Sequence, residues 1–144
     1  MDFSGFAKLM RQRSANLPGE VHKVVQNTAA VYLVTIADLT PVDTGAAISN
    51  WQVGINSSPS SVLRPHVPGN FRSTALENLN ATIRNGSGII DSSKPGDAIH
   101  IVNNIHYISD LDQGSSGQAP SGMTATAELT AMRVATSAKV VTPR

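Results

Sequence analysis

The chain has 144 residues, room for one domain with a hydrophobic core but not for two of ordinary size. Its 11 basic and 10 acidic residues leave a net charge of +1, which excludes the global field that marks strongly basic nucleic-acid or membrane-surface binders. Having no cysteine excludes disulfides, thiolate catalysis and cysteine-ligated zinc, and no apolar run approaches the roughly 20 residues of a bilayer span or forms a signal peptide's apolar block. The sequence therefore reads as one soluble, cytosolic-type domain, residues 1–144. With aromatic residues at 4%, its core must be modest and built from Val, Ile, Leu and Ala, and such a domain gains from neighbouring subunits.

A helical N-terminal region is predicted over residues 1–39. Phe3, Phe6, Met10 and Leu17 share one side of a short helix capped by Ser4, which Leu17-Pro18-Gly19-Glu20 interrupts. Pro18 then opens the longest element, whose apolar positions Val21, Val24, Val25, Thr28, Val31, Tyr32, Thr35 and Leu39 recur at helical spacing. Val31 to Ile36 alone would also suit a strand, a choice left to tertiary packing, and the stretch is read as helix.

Pro41 stops this helix, and Asp43, Thr44 and Gly45 supply a tight turn. A strand follows with Trp51, Val53 and Ile55 on its buried face. Residues 56–70, rich in Ser, Pro and Gly, form a loop or loosely paired arm that is a candidate for contact with another subunit. Asn70 caps a helix carrying Phe71, Ala75, Leu79 and Ile83 and closed by Asn85-Gly86. Gly88 to Ile90 reads as a short strand inside a turn-rich connection, and Asp97 to Asn103 alternates as a further strand. Asn104 to Gln113 is a brief helical turn, and Gly114 to Pro120 breaks regular structure. Ser121 caps a last helix whose stripe is Met123, Ala127, Ala131 and Val134, widened by Leu129 and Met132, and residues 140–144 fray. The fold class is α+β, with the long N-terminal helix and two further helices packed on a small, mainly antiparallel sheet.

Chemistry finds little support. His100, His106, Asp110 and Asp112 lie close in sequence but lack a spacing that puts two metal ligands on one helical face. There is no Gly-x-Ser-x-Gly elbow and no phosphate-cradling Gly-x-x-x-x-Gly-Lys loop. Asp110 and Asp112, two positions apart, point in different directions on a helical turn. The triplets Asn56-Ser-Ser58, Asn80-Ala-Thr82 and Asn85-Gly-Ser87 fit the glycosylation pattern, which arises readily by chance in so Asn- and Ser-rich a chain. No enzyme activity, metal or cofactor is expected. Local basic excess does occur: Lys8, Arg11, Arg13 and Lys23 near the N-terminus, and Arg133, Lys139 and Arg144 near the other end.

Two segments carry more than composition. Thr40-Pro41-Val42-Asp43-Thr44-Gly45 followed by Ser49-Asn50-Trp51 is the first; Asn103-Asn104-Ile105-His106-Tyr107, Leu111-Asp112-Gln113-Gly114-Ser115 and Gln118-Ala119-Pro120-Ser121-Gly122-Met123 make the second. Together they resemble the signature of the neck and tail-completion proteins of tailed bacteriophages, the head-tail joining or minor tail component family, in the same order and at similar spacing. The resemblance covers Thr40 to Met123. The chain differs from the family in having Ala46-Ala47-Ile48 where an Arg is common, Gly117 where a Lys is common, and Asp112-Gln113 where Glu and an aromatic are common. No salt bridge is therefore carried over from relatives.

The resemblance implies a structural virion protein that completes the head-proximal end of the tail and joins head to tail as a subunit of a homo-oligomeric ring, sixfold by preference or twelvefold if it matches the portal. Implied partners are a head-completion or stopper protein or a portal-side adaptor on one side, and the tail terminator or tail tube protein on the other. DNA would pass through the lumen without sequence-specific contact, with Lys8, Arg11, Arg13, Lys23, Arg64 and Arg72 as candidate lumen or interface residues. The localisation implied is the head-tail junction of the virion, after assembly in the bacterial cytoplasm. A tail terminator capping the tube is the nearest alternative, and a small nucleic-acid-binding regulator a remote one. Within the signature, Pro41, Asp43, Thr44, Gly45, Trp51, Tyr107, Asp112, Gly114, Gln118, Pro120, Gly122 and Met123 are read chiefly as fold determinants, and the loops Val62 to Asn70 and Ser115 to Pro120 as the parts that reach neighbours.

Overall fold

A computed structural model of the chain describes residues 3–138, and the side chains of all of these except 3–5 and 13. Ser4 falls inside α1 and so does not cap it, its side chain lying outside that description, as does the expected frayed tail at 140–144. The architecture is α+β: long helices α1 (Phe3–Leu39), α3 (Ala75–Ser92) and α5 (Thr124–Ser137), short helices α2 (Ala46–Ser49) and α4 (Ile108–Asp112), and strands β1 (Trp51–Ile55) and β2 (Ile99–Asn103).

The expected interruption at Pro18 does not occur, and α1 runs unbroken for 37 residues, about 55 Å at 1.5 Å per residue. A proline inside a helix removes one backbone hydrogen bond, here to the Ser14 carbonyl, and the cost is lowest where water can replace the lost partner. Residues 14–19 are all exposed, so that condition is met. The buried face of α1 also differs from expectation. It consists of His22, Leu33, Ile36, Ala37 and the following Thr40, one position and hence about 100° around the helix from the expected stripe, whose Val21 and Val25 are exposed. The reason lies in the partners: α1 packs on both α3 and α5, and Leu33 is the residue that meets the glycine where α1 and α3 cross.

That glycine, Gly86, was expected to end the preceding helix. Instead α3 passes through it to Ser92, absorbing the expected strand at Gly88 to Ile90. A Cβ at Gly86 would strike the Leu33 side chain and come within 3.0 Å of Val53 Cγ2, so glycine here permits close packing against α1 and β1. Side chains of α1 also satisfy the far end of α3. Gln26 Nε2 donates to the Ile90 carbonyl at 3.1 Å, and His22 Nε2 lies 2.9 Å from the Ser93 carbonyl oxygen. The start of α3 differs as well: it follows Thr74 rather than Asn70, and Phe71 is 92% exposed with a φ of 53°.

β1 and β2 pair antiparallel, with Trp51 opposite Asn103 and Ile55 opposite Ile99. Trp51 and Val53 are buried as expected, Ile55 is half-buried, and every residue of β2 is half-buried. The core gathers Leu33, Ile36, Ile48, Trp51, Val53, Ile90, Met123 and Ala127. The small residues Ala127 and Ala131 let α5 approach α1 closely, whereas Leu129 and Met132 face solvent rather than widening the stripe. The cap of α5 is also not Ser121: Asp112 Oδ1 accepts from the Met123 and Thr124 N–H groups at 2.9 and 2.8 Å.

Candidate interface site

The two signature segments, remote in sequence, meet in space. Gln118 Oε1 accepts from the Val42 N–H at 3.0 Å while its Nε2 donates to the Val42 carbonyl at 3.1 Å, so one amide side chain pairs with the turn's backbone as a neighbouring strand would. Gln118 is itself exposed, so this clamp lies at the surface. Shallow depressions of about 340 and 380 Å³ flank it. Asp38, Leu39, Arg72 and Leu76 line the first, and Pro41, Asp43, Thr44, Tyr107 and Leu111 the second.

Most of the remaining signature residues fix local backbone or fill the core. Asp43 Oδ1 accepts from the Phe71 N–H at 2.9 Å, and its carbonyl from the Arg72 N–H at 3.0 Å, tying the turn to the segment before α3. Thr44 Oγ1 lies 3.4 Å from the Ala46 N–H. Trp51 Nε1 donates to Thr40 Oγ1 at 2.8 Å, which in turn donates to the Ile36 carbonyl at 2.6 Å, so the indole is satisfied inside the core. Gly114 rests on the Pro120 carbonyl and Gly122 on the Asp112 carbonyl, closing the 113–122 loop on itself. Pro41 and Met123 are buried, and Pro120 is exposed.

Tyr107 is half-buried between these segments, edge-on to His106 with ring centroids 5.0 Å apart; burial, and then the Asp43 charge, raise its phenol above the ordinary range. Burial alone would raise the Asp112 carboxyl, but the donated N–H groups of Thr124 and Met123 outweigh it and hold the pKa below the ordinary value.

The loop 56–70 has no regular secondary structure, yet its backbone is pinned by amide side chains. Asn50 accepts from the Leu63 N–H at 2.7 Å and donates to its carbonyl at 2.9 Å. Asn78, fully buried on α3, does the same for Val67 at 2.8 Å in both directions and also accepts from Ser49 Oγ at 2.9 Å. Gln52 and Asn104 hold the Ser61 carbonyl, and Ser49 Oγ accepts from the His66 N–H. Burial pushes the His66 imidazole below its ordinary pKa. Sequence reasoning assigned no role to Asn50 or Asn78. The signal was there for Asn78, a polar residue on the inward side of a helix between Ala75 and Leu79.

The candidate basic residues fall into two groups. Lys8, Arg11 and Lys23 are exposed on the N-terminal half of α1, where Lys23 pairs with Glu20 at 3.4 Å, and the Arg13 side chain lies outside the described residues. Arg72 is exposed beside the Gln118 clamp at the other end of α1, and Arg64 is exposed on the pinned loop. Among the described residues no group of three His, Asp or Glu side chains is placed to hold a metal ion, and no helix is long and apolar enough to cross a membrane. Compared with family models, with curated proteins and with solved structures, the chain matches none.

Proposed function

We propose that this chain is a structural subunit of a tailed phage particle, one that completes the head-proximal end of the tail and joins head to tail as a member of a ring. The observation that carries the reading is the Gln118–Val42 clamp: two sequence segments that resemble one family signature, 76 positions apart at this contact, form one surface unit bounded by shallow depressions. A second support is that the loop 56–70, though irregular, is held rigid by Asn50 and Asn78, as a loop must be if its shape is to fit a neighbour. Ring closure requires two different patches on each subunit, and the clamp region and the far half of α1 are two such patches.

The regulator reading has less behind it, because the exposed basic residues are scattered over α1, the 56–70 loop, α3 and its flanks, and α5, with Arg84, Lys94 and Arg133 among them, and among the described residues no one element carries a phosphate-binding stripe. Particles assembled without this protein test the proposal. Separate, normal heads and tails in electron micrographs are the expected result; joined, infectious virions lacking the chain would overturn it.

A further inference from the structure

α1 extends beyond the body of the protein. Its last side-chain bonds to the rest of the fold, counted toward the N-terminus, are those of Gln26 and His22, and every described side chain from Lys8 to Gly19 is exposed. About 22 Å of helix, Phe6 to Val21, therefore forms an arm. The arm is not uniformly polar. Phe6, Met10, Leu17 and Val21, each 45–48% exposed, fall within an arc of roughly 60° at 100° per residue, a narrow apolar stripe left uncovered by the described residues.

The body carries a matching vacancy. Between α1, β2 and α5 lies an open groove of about 640 Å³, lined by apolar side chains including Val24, Val25, Tyr32, Ile99, Ile101 and Ala131. Thr28 Oγ1, the one buried side-chain polar atom without a hydrogen-bond partner among the described residues, belongs to a residue of this lining. Charge is complementary too. The arm, residues 6–21, carries three basic residues and one acidic residue, Glu20, which pairs with Lys23. Among the described residues the only charged one lining the groove is Asp97, and Glu128 on α5 acts electrostatically on the Tyr32 phenol that forms its wall.

We infer that the groove receives the arm of a second copy of this chain. A chain cannot fill its own groove, because arm and groove wall belong to one continuous helix and the arm points away along its axis. Docking between copies covers both apolar surfaces at once and sets the arm's positive charge against Asp97 and Glu128. The inference shares with the reading above only the premise that the chain self-associates. Passed from copy to copy, the contact closes a ring; exchanged reciprocally, it closes a pair.

The test places the photo-crosslinker p-benzoylphenylalanine at Met10 of the full chain. These copies are mixed with ¹⁵N-labelled wild type and irradiated, adducts are mapped by mass spectrometry, and native mass is measured in parallel. Mixed-isotope adducts on residues 24–32, 97–101 or 131–135 are expected, and Phe6→Glu with Met10→Glu should raise the concentration for half-association at least tenfold while leaving the circular dichroism unchanged. Adducts confined to another arm or within one chain would overturn the inference, as would a chain monomeric at its solubility limit. A ring without groove adducts sinks the arm contact and leaves the ring reading standing, whereas groove adducts in a closed pair keep the arm contact and count against the ring.

Discussion

Gly45 stands at a φ of 88°, and a Cβ there would collide with the Asn78 amide that pins Val67. Gly45→Ala combines left-handed strain with loss of the Asn78 hold on Val67, an expected destabilisation of about 2–4 kcal/mol in denaturant titration. An alanine variant as stable as the parent would remove this turn from the fold determinants. Asp112 gives a pH-dependent counterpart. Its carboxyl is depressed in the folded state, so the stability it contributes is full above the unfolded value of about 3.9 and is lost as pH falls through the lower, folded value. Asp112→Asn keeps an oxygen for the Met123 and Thr124 N–H groups but should flatten the acid limb of the stability curve, while Asp112→Ala should cost about 1 kcal/mol at neutral pH. Melting curves from pH 7 down to pH 3 for the three proteins decide between them.

Elements whose signals are local were legible in the sequence: the helix stop at Pro41, the alternation that buries Trp51 and Val53, the strand ending at Asn103, and the Met123, Ala127, Ala131 stripe. Elements decided by remote partners were not. Asn85-Gly86 looks like a helix end, yet α3 continues because Gly86 fits against Leu33 and because Gln26 and His22 bond to the carbonyls at its far end. Pro18 looks like a break and is tolerated where solvent surrounds it. The candidate site was half legible: the signature residues were singled out, but that Gln118 reaches Val42 and that Asn50 and Asn78 hold the loop follows from tertiary geometry alone. Asn78→Ala orphans several buried polar groups and should cost about 2–4 kcal/mol. It should also open the 56–70 loop to limited proteolysis under native conditions. Gln118→Ala, at the surface, should cost no more than about 1 kcal/mol and speed hydrogen exchange at the Val42 amide, with the global unfolding midpoint nearly unchanged. A proteolysis pattern for Asn78→Ala identical to that of the parent would mean the loop is held by something other than these amides.

At the scale of the whole molecule the chain divides into a body closed by α1, α3, α5 and the sheet, and a helical arm with an uncovered apolar stripe. The body presents the clamp, its flanking depressions and the pinned loop; the arm presents Phe6, Met10, Leu17 and Val21. In the proposed ring, a subunit contacts its neighbours through two unlike surfaces, and this division supplies two. The arm should accordingly lose its exposure on assembly, with hydrogen exchange over residues 6–21 slowing while that of the buried stretch 33–37 stays as it is. The most direct measurement of the proposed role is a reconstruction of the head–tail junction of a tailed phage whose genome carries this sequence. The account predicts a closed ring of these subunits there, six or twelve, with residues 62–70 and 115–120 against neighbouring chains; a junction complete without this protein, or a ring in which both loops touch no other chain, would contradict it.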